Sequence, residues 1–162
     1  MSDAPSDELH EVRLLRFPLA LWQRTQEHVD ELLREFALIA QGEAEHPESV
    51  PHRLMELIAE LTAAYGGIGA ATERERDEAI DRGESEVDLV YRVPAAITGA
   101  VRQLGDMLDE ADEYCRQGQH LLTLQAPADQ LVFRRWFLSE FLTQLAGAKP
   151  VTWPEYEAAI AG

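Results

Sequence analysis

Three short stretches are rich in aliphatic residues, and each ends on a proline followed by a segment of helical period. The stretches are Glu11 to Pro18 (EVRLLRFP), Glu86 to Pro94 (EVDLVYRVP) and His120 to Pro127 (HLLTLQAP). In the second, Val87, Leu89, Tyr91 and Val93 alternate with Asp88, Val90 and Arg92, the period of a strand with one buried face. Proline ends a strand and presets the backbone for the first turn of a following helix, so each stretch predicts a β–Pro–α unit.

The helical segments have their own signals. From Leu19 to Gln41 an apolar stripe runs through Leu19, Trp22, Val29, Leu32, Leu33, Phe36 and Ile39. A second helix, Val50 to Tyr65, aligns Leu54, Leu57, Ile58, Leu61 and Tyr65 and stops at Gly66-Gly67. Thr72 and Glu75 have capping-box spacing, which starts a third helix at Thr72 and ends it near Gly83. With only Ala79 and Ile80 to bury, that helix belongs on the surface. A fourth, Ala95 to Gln117, carries Ile97, Val101, Leu104, Leu108, Ala111 and Cys115, and a fifth spans Ala128 to Ala146. Thr152 and Glu155 repeat the capping-box spacing before a short terminal helix.

The second strand, the fourth helix and the third strand predict a right-handed βαβ crossover with parallel strands, which the first strand joins. The expected fold is a mixed, helix-dominated α/β domain: a small three-stranded sheet built from β–Pro–α units, with about five helices. Residues 1–10 are expected to be a disordered N-terminus, 11–153 one domain, and 154–162 a tail with a short helix.

Composition narrows the function classes. A chain of 162 residues supports one continuous core. Its 30 acidic residues against 14 basic ones give a net charge of −16, which repels nucleic-acid phosphate and anionic membrane and favours a protein partner with a basic surface. No apolar run approaches a membrane span, and the polar residues 1–8 carry no signal-peptide pattern, so a cytoplasmic protein is expected. Asn is absent and Lys149 is the only lysine, which leaves Schiff-base and Walker-type chemistry almost without candidates. A single cysteine, Cys115, excludes an intrachain disulfide framework and a cysteine metal cage, and its place on an apolar stripe marks it as a core thiol.

The remaining candidates read as structural. Gly66-Gly67-Ile68-Gly69 follows a helix rather than a strand, so it is a helix–loop–helix turn and not a phosphate cradle. Asp106, Asp109, Glu110, Asp112 and Glu113 lie opposite the apolar stripe of the fourth helix and read as a solvated acidic face. His10, His28, His46, His52 and His120 lack metal-ligand spacing, and none of the five serines sits in a nucleophile elbow. No catalytic, cofactor or metal set is expected.

The fifth helix differs, because nine of the fifteen residues from Leu131 to Leu145 are apolar and cover most of its circumference. It is either a helix buried on nearly all sides or one with a contact patch on one face. Arginine and aromatic residues dominate interface energetics, so the candidate partner-binding set is Arg134, Arg135, Trp136, Phe137, Glu140 and Phe141.

Leu14-Leu15-x-x-Pro18, Glu31-Leu32-Leu33-Arg34-Glu35-Phe36, Val87-Asp88-Leu89-x-Tyr91-x-Val93-Pro94, Asp109-Glu110-Ala111-Asp112 and Arg134-Arg135-Trp136-Phe137-Leu138-x-Glu140-Phe141-x-x-Gln144 together resemble segments of an actinobacterial protein family. That family is associated with anti-sigma-factor ATP-binding regulators and their STAS-domain and phosphatase partners. The resemblance implies a setting of regulatory partner switching. It carries over no catalytic residue, because the ATPase's Asn-bearing helix and Asp-x-Gly-x-Gly turn are missing here. The functional expectation is a non-enzymatic regulatory module that binds another protein. The alternative is a small-molecule sensor or enzyme, its pocket at the carboxyl ends of the strands and lined by Arg92, Gln125 and the N-termini of the fourth and fifth helices.

Overall fold

A computed structural model describes residues 8–42, 48–117 and 126–161. The elements run β1 (Leu9–Pro18), α1 (Leu19–Gly42), α2 (Val50–Tyr65), α3 (Ala70–Asp81), β2 (Glu86–Pro94), α4 (Ile97–Gln117), α5 (Ala128–Leu145) and α6 (Trp153–Ala161). Among the described residues the fold is mixed and helix-dominated, with six helices and a two-stranded sheet in which β1 and β2 pair antiparallel. The first strand thus joins the second as expected. The third stretch lies mainly at 118–125, outside the described residues, and Ala126 and Pro127 have no strand structure. The expected parallel pairing of the second and third stretches therefore falls outside the described residues, which show one antiparallel pair, β1 with β2.

The register explains which residues face the core. Val12 opposes Tyr91 and Leu14 opposes Leu89, all buried, while Glu11, Arg13, Asp88 and Arg92 face outward. Leu14 and Phe17 are three apart, so an unbroken strand would point them to opposite faces. A bulge between Leu14 and Phe17 corrects this, and Phe17 comes to oppose Val87 on the inner face. Its strain falls on Arg16, at φ 56°. There the Arg16 N–H donates to an Asp88 carboxylate oxygen at 2.8 Å, and its Nε donates to Glu86 at 3.0 Å. Such a backbone costs on the order of 1 kcal/mol, and burying Phe17 returns more.

Two apolar clusters hold the chain together. One joins the inner sheet face to α5 and α6 through Phe17, Phe133, Trp136 and Trp153. The rings meet edge-on or tilted, with Phe17–Phe133 centroids at 5.4 Å and Trp136–Trp153 at 5.6 Å, the arrangement ring quadrupoles favour. The other packs α1, α2 and α4 through Leu32, Phe36, Leu54, Leu108 and Ala111. Of the stripe predicted for α4, Val101, Leu108, Ala111 and Cys115 are buried.

Both sheet edges are closed by side chains. On the β1 side the Gln144 amide accepts from the Arg13 N–H and donates to the Arg13 carbonyl, each at 2.8 Å, imitating one residue of a further strand. On the β2 side Thr72 Oγ1 donates to the Val90 carbonyl at 2.6 Å. That second contact corrects an expectation: Thr72 does not cap α3. The helix starts two residues earlier, behind Gly69 at φ 87°, and the threonine hydroxyl is used by β2 instead. The second capping box does form, with Thr152 and Glu155 exchanging backbone-to-side-chain bonds at the start of α6. Leu9 and His10, assigned above to a disordered segment, are the first residues of β1, and Trp153 is buried in the core.

Candidate functional site

The six residues singled out on α5 do not share one surface. Trp136 is fully buried, with its indole N–H donating to the Val151 carbonyl at 2.9 Å. Phe141 is buried against Tyr91, and half-buried Phe137 packs between Phe17, Tyr91 and Phe141. Arg135 alone is exposed. Trp136 and Phe141 are thus core residues of the domain, whereas Arg135 faces out.

The other two charged residues of the set, half-buried Arg134 and buried Glu140, are integrated differently. Arg134 reaches α4 and bridges Asp109 at 3.0 Å and Asp112 at 2.5 Å. Asp112 is itself buried, so the acidic face of α4 is not uniformly solvated as expected; one carboxylate points inward because a guanidinium from α5 meets it. Glu140 is buried too, and its Oε1 accepts from the Val151 N–H at 2.8 Å and from Gln144 at 3.0 Å. Burial pushes its carboxyl above the ordinary value, while the two donors hold it down in part. Glu140 thereby links α5, the approach to α6 and, through Gln144, the edge of β1.

Two further acidic residues of α4, Asp106 and Glu110, stand on one wall of a groove. Arg53 pairs with Glu110 at 2.9 Å, and the Tyr65 hydroxyl donates to the Ala96 carbonyl at 3.4 Å, so α2 and α4 run antiparallel. Between them lies a groove of about 400 Å³. Arg53, Glu56, Leu57 and Glu60 line one side, and Gln103, Asp106, Met107 and Glu110 line the other. On each helix these are positions i, i+3, i+4 and i+7, a single face. Leu57 and Met107, both buried, form the floor, and four carboxylates with one arginine form the rim. Reading α4 alone missed this site. The signal was available in the matching spacing of Glu56 and Glu60 with Asp106 and Glu110, but it becomes a site only when the two helices are set side by side.

A second groove, about 510 Å³, lies over the outer face of the sheet. Arg92 lines it, but this is not the pocket expected at the carboxyl ends of the strands: its other walls are Glu11, Arg13 and the Gly67–Thr72 start of α3, not the N-termini of α4 and α5. Gln125 lies outside the described residues. Gly66 to Gly69 forms the expected helix–loop–helix turn, and at Gly69 a Cβ would come within 2.9 Å of the Tyr91 ring.

Among the described residues no group of three or more His, Cys, Asp or Glu is placed to hold a metal ion. Cys115 is buried, and burial together with Asp112 and Glu35 pushes its thiol up to about 11. His46 and His120 lie outside the described residues; His52 sits in the first turn of α2, where its N–H donates to the Ser49 hydroxyl that caps the helix. No helix among the described residues is long and apolar enough to cross a membrane. Comparison of the chain with known protein families, with curated proteins and with solved structures finds no match.

Proposed function

We propose that the chain is a non-enzymatic regulatory module that binds a basic segment of another protein in the groove between α2 and α4. The observation that carries this is the combination of an apolar floor at Leu57 and Met107 with a rim of Glu56, Glu60, Asp106 and Glu110. The floor supplies the apolar contact that gives affinity, and the rim selects a cationic partner and steers its approach. With Arg53 held by Glu110, most of the rim charge is left for a partner. The net charge of −16 extends the same preference over the surface. Sigma-factor partner switching, in the cytoplasm, is the setting suggested by the segmental resemblance. The α5 residues take a supporting part in this reading, since Arg134 fixes α4 from behind while the groove faces away from it.

The test is fluorescence anisotropy of a labelled amphipathic peptide of arginine and leucine, titrated with the full chain. Binding that weakens with salt and falls at least tenfold in Glu56→Arg/Asp106→Arg, about 1.4 kcal/mol, supports the proposal. Equal affinity in the folded double variant overturns it.

The groove over the sheet favours a second reading, a small-molecule site at Arg13 and Arg92. A thermal-shift screen of metabolites decides this one: stabilisation lost in Arg92→Ala supports it, and no stabilisation removes it.

A further inference from the structure

The two apolar clusters part where α1, α4 and α5 meet, and a cavity of about 180 Å³ opens there. Trp22, Val29, Leu104, Leu108, Phe133 and Phe137 supply its apolar lining. Three of these walls are braced by other side chains. The Arg76 guanidinium lies 3.8 Å from the Trp22 ring centroid, and Phe133 and Phe137 are seated against Phe17 with centroids at 5.4 and 6.3 Å. Donors at its margin have partners of their own: Thr25 Oγ1 donates to the Leu21 carbonyl, the Gln26 amide N–H to Asp30, and Arg134 to Asp109 and Asp112. The pocket is partly open, and a small ring entering it would meet the faces and edges of Trp22, Phe133 and Phe137.

We infer that this cavity is a binding site for a small, neutral aromatic molecule of one or two fused rings. The volume sets the size, since an apolar space of about 150 Å³ accepts a benzene ring. The engaged polar margin sets the class, because a charged or strongly hydrogen-bonding ligand would lose its water without replacement. The inference is independent of the α2–α4 groove, which uses the other side of α4.

Indole is a suitable probe, measured by calorimetric titration of the full chain and by NOE contacts from bound indole. The expected result is saturable binding, NOEs to Val29 methyls and the Phe137 ring, and at least a tenfold loss of affinity in Val29→Phe and in Leu104→Phe. Leu38→Ala, at a site 71% exposed on α1, should bind as the parent chain does. The NOEs are read on the parent chain, so they decide the matter even if both cavity-filling variants fail to fold. No saturable binding, or NOEs confined to other residues, would overturn the inference.

Discussion

At the scale of single residues, buried charge decides the most testable outcomes. Arg134 and Asp112 have side chains 12% and 9% exposed, so removing one partner strands the other. Arg134→Ala is expected to destabilise the fold by about 3 kcal/mol in urea denaturation, whereas Arg134→Leu/Asp112→Leu should recover part of that loss. If the double variant is no more stable than the single one, the pair is not what stabilises the α4–α5 contact. Glu140 gives a pH prediction. Its carboxyl is raised above the ordinary 4.5, so its stabilising contribution is complete below that value and is lost as pH rises through the raised value. Glu140→Gln keeps an acceptor for Val151 and Gln144 but cannot ionise. Its stability relative to the parent chain should therefore improve from pH 4 to pH 7.5, and an unchanged difference would contradict this origin. Cys115, with its thiol at about 11, should resist alkylation at pH 8 until the chain unfolds.

At the scale of elements, legibility followed the range of the interaction. Strand alternation and helical stripes are local, and α2 was read at its observed ends, Val50 to Tyr65. The stripe of α4 was legible in part: Val101, Leu108, Ala111 and Cys115 are buried, but so are Met107 and Asp112, which lie off it and face other helices. Contacts that join distant elements left no local trace. The bulge at Arg16 is stabilised by Asp88 and Glu86, seventy and more residues away, and Gln144 closes an edge belonging to Arg13. Thr72 shows how a local rule loses: the capping spacing was correct, but an unpaired Val90 carbonyl on β2 took the hydroxyl, and Gly69 started the helix. At that glycine both the backbone and the Tyr91 ring oppose a side chain. Gly69→Ala should accordingly lower thermal stability, while Gly42→Ala, where a Cβ meets nothing within 4 Å, should not.

At the scale of the whole molecule, the chain separates an aromatic core from an acidic helical layer. The sheet with α5 and α6 buries the rings, and α1, α2 and α4 carry their own apolar cluster behind it. This division places Trp136 and Phe141 of α5 in the aromatic core, as suits the central element of a small domain. The candidate groove lies instead on the helical layer. Its charges were visible residue by residue, but its shape depends on the antiparallel approach of α2 and α4, which no single helix encodes.

The most direct test of that claim is NMR shift mapping of the isotope-labelled chain during titration with the arginine–leucine peptide. Docking in the groove predicts that the largest shifts fall on Leu57, Glu60, Asp106 and Met107 and disappear in Glu56→Arg/Asp106→Arg. Shifts centred on Arg135 and the exposed side of α5, or on the outer face of the sheet, would contradict it.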